Sequence, residues 1–319
     1  MAKLKIALYW ASSCGGCEIA TLAIHEKILD LANVADIVFW PVGLDFKYAD
    51  VENMEDNSVD VCLFNGAIRN EENEHLAHLL RAKSKVMIAY GSCSYEGCIP
   101  GLANFYTKDA VFHRAYIESP STDNPDKIFP QTRVQVPEGE LELPAFYNTV
   151  KTLAQTVDVD YFIPGCPPEA QTTWLALEAL IQGKLPPKGT VISGSQRALC
   201  FECPRIKEEK KVKKFYRPYE IIPDPERCLL EQGLLCMGVA TRGGCGALCP
   251  QNGMPCTGCY GPVEGVVDQG ASFLSAVASV IDSNDPEEIQ RIVDDVVDPA
   301  GVAYRYSLPD SLLRRARIQ

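Results

Sequence analysis

Fourteen cysteines punctuate this 319-residue sequence, and four of them stand where apolar runs end. Cys14 and Cys17 follow the run from Leu4 to Ala11, Cys93 follows Val86 to Tyr90 through Gly91-Ser92, and Cys166 follows Tyr161-Phe162-Ile163-Pro164-Gly165. Thiolates are soft metal ligands, and four of them is the number a 4Fe-4S cluster or a structural zinc requires. Each apolar run reads as a buried strand, and in an open parallel sheet the loops beyond the strand C-termini converge on one crevice. The spacing therefore predicts one four-thiolate site from Cys14, Cys17, Cys93 and Cys166.

Eight more cysteines crowd residues 200 to 259. In chain order they form two fours, Cys200/Cys203/Cys228/Cys236 and Cys245/Cys249/Cys256/Cys259, each containing a C-x-x-C pair. Glycines and prolines beside them, as in Gly243-Gly244-Cys245-Gly246 and Cys249-Pro250, let backbone amides approach sulfur, which suits iron-sulfur ligation. Zinc is the alternative, as a ribbon built on the C-x-x-C pairs. The first quartet favours iron, because its ligands come from three loops of a preformed sheet, whereas structural zinc usually organises its own local fold. Cys62 lies inside an apolar run and reads as a small core residue. Cys98, five residues past Cys93, is a neighbour of the first site, an alternative ligand or a bystander.

The elements that position these thiols alternate. A helix from Glu18 to Leu29 follows Cys17, a strand covers Asp36 to Pro41, another covers Val59 to Gly66, and a polar helix from Asn70 to Ser84 leads to the strand that delivers Cys93. Strands apolar throughout, alternating with helices, imply an α/β fold with a flavodoxin-like doubly wound parallel sheet. From Ile99 to Pro144 prolines break the pattern into a long loop, which is functional or covered by a partner. A helix around Leu143 to Val157 is expected next, then the Cys166 strand and a helix from Glu169 to Gln182, with Pro167-Pro168 in its first turn. The reading gives a flavodoxin-like domain over 1–187 and a small, loop-rich cluster-binding domain over 188–270. A helical tail over 271–319 follows, with helices at Ala271 to Ile281 and from a cap at Ser283 to Pro286 to about Val297.

The net charge is −12, which excludes nucleic acid as the main partner because phosphate binding needs a basic face. No run reaches the roughly 18 apolar residues of a membrane span. The N-terminus carries no export pattern, so a cytoplasmic location is expected, and a reducing cytoplasm reads C-x-x-C pairs as metal sites rather than disulfides. The basic run from Lys207 to Arg217 is a solvated connector or a docking patch for an acidic redox partner. The four histidines lack metal-ligand spacing, and Gly15-Gly16 alone completes no nucleotide motif.

Cys14-Gly-Gly-Cys17-Glu18, Gly91-Ser92-Cys93 and Pro164-Gly165-Cys166-Pro167-Pro168 resemble the proximal-cluster signature of NiFe hydrogenase small subunits, and the likeness continues through the later cysteines to about residue 270. Gly101-Leu102-Ala103-Asn104-Phe105 and Ser121-Thr122-Asp123-Asn124-Pro125 look most like the cytoplasmic, viologen-reducing (non-deazaflavin-reducing) hydrogenase gamma subunit associated with heterodisulfide reductase. The resemblance implies a proximal 4Fe-4S cluster on Cys14, Cys17, Cys93 and Cys166, beside a nickel-iron centre on a separate large subunit. It implies a distal cluster on Cys200, Cys203, Cys228 and Cys236 and a medial one on Cys245, Cys249, Cys256 and Cys259. It also implies an iron-sulfur or flavoprotein electron acceptor. Exported members have histidine where this chain has Cys200 and three medial cysteines where Cys249 adds a fourth, so three 4Fe-4S clusters are expected. Cys98 occupies one of two extra cysteine positions of oxygen-tolerant relatives and Gly16 the other, so no tolerance is expected. Glu18 is a candidate proton carrier, against a plain first-turn carboxylate. The complex I-type cluster subunit shares the sheet motif, but it carries adjacent cysteines in its first loop, where Gly15-Gly16 separates the pair here.

Overall fold

The computed structural model describes residues 3–192, 194–208 and 211–313. Five strands form one parallel sheet: β1 (Leu4–Trp10), β2 (Ala35–Phe39), β3 (Val59–Asn65), β4 (Ser84–Tyr90) and β5 (Tyr161–Ile163). Their order is β2-β1-β3-β4-β5, the doubly wound order with its reversal beside β1. Every pairing is parallel, with Ala7 opposite Cys62 and Leu63 opposite Ile88. Both faces are buried, which is why the strands read as unbroken apolar runs.

One face packs Ile6, Leu8, Leu63, Ile88 and Ile163 against Ala176 and Leu177 of α4 (Ala170–Ile181). The other packs Ala7, Cys62, Phe64 and Met87 against Leu76, Ala77 and Leu80 of α3 (Glu71–Lys83). Cys62 is fully enclosed and behaves as the core residue its strand position suggests.

Three local expectations fail. The helix after Cys17 is two helices, α1 (Gly16–Leu22) and α2 (Lys27–Val34), because His25 takes a left-handed conformation (φ 56°) between them. The spaced apolar residues Ile19, Leu22 and Leu29 are exposed, and Ala20, Ile24 and Leu31 are buried instead. The helix expected around Leu143 to Val157 is a strand, Phe146–Lys151, antiparallel to Ile68–Asn70, followed by a one-turn 3-10 helix at Leu153–Gln155 capped by Thr152. Pairing with a second strand outweighed local propensity there. Finally, α4 begins at Ala170 with Glu169 as its cap, so Pro167-Pro168 precede the helix rather than opening it.

The long segment after Cys98 contains a helix at Lys108–His113 and an exposed hairpin, Arg133–Val136 with Gly139–Glu142. Between residues 198 and 268 the described chain is nearly all loop, with 3-10 turns at Leu199–Phe201, Leu230–Gln232 and Met237–Val239 and a four-residue helix at Leu248–Gln251. The helices Gln269–Val280 and Pro286–Asp294 lie beneath it: Val212, Phe215 and Met237 share a core with Phe273, Val277, Ile292 and Tyr304. Of the basic run, Glu209 and Lys210 lie outside the described residues; Lys211, Lys213, Lys214 and Arg217 are exposed.

Candidate iron-sulfur cluster sites

The first site is made by strand ends. Gly15, left-handed at φ 79°, turns the chain after β1 into α1 and brings Cys17 onto the helix. At the end of β4 the amides of Gly91 and Ser92 donate to the carbonyls of Ile163 and Gly165, both at 2.8 Å, which ties the Cys93 loop to the Cys166 loop. Gly91 has no alternative: a Cβ there would stand 2.3 Å from the Cys17 sulfur. Cys14, Cys17, Cys93 and Cys166 together line one small pocket. Burial, then the neighbouring Cys166 and Cys14, pushes the Cys17 thiol up. Thiolates crowded this way ionise together only when cations compensate them, which is the condition a metal cluster fulfils.

Cys98 is enclosed behind this cavity, its sulfur 3.7 Å from that of Cys166, so it is a direct neighbour of the site. Glu18 is in the first turn of α1 but buried, accepting hydrogen bonds from the Trp40 indole and, at 3.4 Å, from Asn65. Burial raises its pKa and the two hydrogen bonds lower it again, with burial the larger effect.

Cys200, Cys203, Cys228 and Cys236 line a second small pocket, whose wall includes Arg205 and Lys207. Arg205 is buried and donates to three carbonyls, those of Pro250 (2.8 Å), Asp224 (2.7 Å) and Arg227 (3.0 Å). The Cys200 thiol is pushed up to about 12, by burial first and then by Cys236. Burial raises Cys236 also, and the amides of Gly238 and Cys256 partly offset it.

The remaining four, Cys245, Cys249, Cys256 and Cys259, act on one another electrostatically: Cys259 is pushed up to about 12 by burial and then by Cys245, Cys166 and Cys249, while the Cys166 amide hydrogen-bonds to it and lowers it. Cys256 is raised by burial, then by Cys236, while the Gly258 amide lowers it. Cys249 stands at the exposed rim. The third group touches both others. The Ser92 hydroxyl donates to the Cys259 carbonyl, and the Cys256 amide donates to the Cys236 sulfur at 3.3 Å. Among the described residues no three His, Cys, Asp or Glu side chains converge on a single-ion position. The first two quartets instead each gather their four thiols around one small pocket, and four thiolates are the ligand number of a 4Fe-4S cluster.

Sequence reasoning passed over Glu202 and Arg205, the charged side chains that shape the two late sites. Their signal was present, as a carboxylate inside a C-x-x-C pair and an arginine two residues after it.

Comparison with known proteins decides the family. The family described as NADH ubiquinone oxidoreductase, 20 Kd subunit, matches residues 14–180, a span that holds β2 to β5 and Cys14, Cys17, Cys93 and Cys166. The iron-sulfur subunit of the F420-non-reducing hydrogenase of Archaeoglobus profundus is 41% identical over 318 residues, covering 98% of each chain. The chain belongs to this family of hydrogenase iron-sulfur subunits. A chain of an NAD+-reducing NiFe-hydrogenase in the H2-reduced state is 26% identical, covers 58% of this chain and 94% of its own, and superposes with a TM-score of 0.50. The NiFeSe-hydrogenase of Dm. baculatum shares the fold, at TM-score 0.51 and 17% identity over 83% of this chain and 96% of its own. Membership of the F420-non-reducing hydrogenase family makes this chain an electron-transferring iron-sulfur subunit of a hydrogenase, with the nickel-iron site on a separate large subunit. No helix among the described residues is long and apolar enough to cross a membrane.

Proposed function

We propose that this chain is the small subunit of a cytoplasmic NiFe hydrogenase, carrying electrons from dihydrogen through three 4Fe-4S clusters to an acceptor of the heterodisulfide reductase system. In this reading Cys14, Cys17, Cys93 and Cys166 hold the proximal cluster, Cys245, Cys249, Cys256 and Cys259 the medial one, and Cys200, Cys203, Cys228 and Cys236 the distal one. The observation that carries it is the series of contacts, Ser92 to Cys259 and Cys256 to Cys236, which puts the third quartet in sequence between the first and the second. The clusters, when bound, supply one-electron redox chemistry at potentials set by ligand charge and hydrogen bonds to sulfur. The protein holds the thiolates at fixed strand ends and loops, aims backbone amides at them and keeps water away.

The mouth of the first site supports a large-subunit partner. Trp10, Ile19, Leu22, Val42 and Leu44 are exposed at the carboxyl edge of the sheet beside Cys14, the apolar face that a partner would bury. In this reading Glu18, buried beside Cys17, exchanges a proton with that partner's active centre. E18Q is expected to lower dihydrogen oxidation with iron content unchanged; undiminished oxidation removes the role.

The deciding experiment counts iron, acid-labile sulfide and zinc per chain after anaerobic purification with the large subunit, whose own metals are counted separately. About twelve iron and twelve sulfide is the expected result for three cubes. About four iron with two zinc overturns the three-cluster relay.

A further inference from the structure

Glu202 lies inside the Cys200-Phe201-Glu202-Cys203 turn, yet its carboxylate reaches across to the loop that carries Cys245. One oxygen accepts hydrogen bonds from the Gly244 amide at 2.9 Å and the Gly246 amide at 3.1 Å, the two amides that flank Cys245. The contact is so close that a Cβ on Gly243 would sit 2.4 Å from the other oxygen, so the glycine at 243 is accounted for by this carboxylate. The amides of Gly244 and Gly246 are thereby held by Glu202 and not by sulfur. The second quartet has the opposite surroundings, with Arg205 and Lys207 in its wall.

We infer that Glu202 is a positioning residue that lowers the reduction potential of the Cys245/Cys249/Cys256/Cys259 site, by placing a fixed negative charge beside it and by keeping two amides away from its sulfurs. Both effects act in the same direction. A negative charge near a cluster disfavours its reduction, and each amide donated to sulfur favours it. A carboxylate from the ligand turn of one site thus widens the potential step between neighbouring sites. This inference rests on the proposal that the third quartet holds an iron-sulfur cluster.

The test is an EPR-monitored redox titration of the intact hydrogenase complex in wild type, E202Q and E202D, with iron and sulfide counted in each. The third-site signal is assigned by its loss in C256A. E202Q removes the charge and keeps an acceptor oxygen, so the expected result is full iron with the third-site potential shifted upward more than that of the second site. E202D restores the charge and is expected to return the potential toward wild type. An unchanged third-site potential in E202Q overturns the inference, and so does a shift that E202D reproduces in full. Iron lost from the third site in E202Q also overturns it, since Glu202 would then be a structural strut. If C256A removes no signal, the cluster assignment on which the inference depends is what falls.

Discussion

The first cysteine site and the two later ones hold the same kind of ligand on opposite kinds of scaffold. Around Cys14, Cys17, Cys93 and Cys166 the walls are strand ends, fixed by parallel ladders and by a core buried on both faces. Around the later eight, the longest regular element within residues 198–262 is four residues, and one small core cluster there consists of Leu199, Ala247 and Cys256 with Cys203, Cys236 and Cys245 packed against it. The ligands of the late sites are thus part of the core they would need in order to fold. One site sits on a fold, while the other two take part in making one.

The largest effect that would sharpen this contrast is metal removal. Stripping iron by chelation under anaerobic, reducing conditions is expected to leave the β1, β3 and β4 amides protected from hydrogen exchange while residues 198–262 lose protection. Structural metal sites contribute on the order of 10 kcal/mol to folding, and beside them those loops have mainly the core that Val212, Phe215 and Met237 share with Phe273 and Val277. Equal loss in both regions, or in neither, would break the comparison.

Single residues come next. In G91A the added Cβ collides with the Cys17 sulfur, so about four of the expected twelve iron atoms should be lost, from the first site alone. The strain should cost the sheet about 1–3 kcal/mol, measurable by denaturant unfolding. In R205M the carbonyls of Pro250, Asp224 and Arg227 each lose one hydrogen bond but keep another, from the Gly253 amide or the Gln232 side chain, so the cost should be about 1 kcal/mol for each bond lost. Losing that positive charge should also lower the second-site potential, opposite in sign to E202Q at the third. A redox titration of R205M in which the second site moves upward would contradict the charge pattern proposed for these sites.

What could be read from the sequence follows the same division. The sheet was legible because strands buried on both faces leave continuous apolar runs, and the convergence of Cys14, Cys17, Cys93 and Cys166 follows from strand order alone. The segment Phe146–Lys151 reads as helix in sequence because its partner, Ile68–Asn70, lies far away along the chain and carries no local mark. The break at His25 is hidden because Ile19, Leu22 and Leu29 do form an apolar pattern, one that faces outward rather than into this chain's core. The pairing of late cysteines could be counted along the chain and both charges stand beside Cys203, but that Glu202 reaches the Cys245 loop while Arg205 reaches the Pro250 carbonyl shows only once the loops are folded against each other.

The smallest effects test whether a buried thiol is by itself a sign of chemistry. Cys62 and Cys98 are as enclosed as any cysteine here, yet Cys62 packs between the sheet and α3, while Cys98 adjoins Cys166 and Cys93. C62A removes one sulfur from a tight core, at about 1 kcal/mol, and should leave iron content and EPR spectra unchanged. C98A should likewise keep its iron, because the four strand-end thiols complete the first site without it. Its EPR spectrum should nevertheless change slightly at the first site alone, since a polarisable neighbour 3.7 Å from the Cys166 sulfur is gone. If C98A instead lost iron, a fifth thiol would belong to the first site, and a scaffold of strand ends would no longer be enough to explain it.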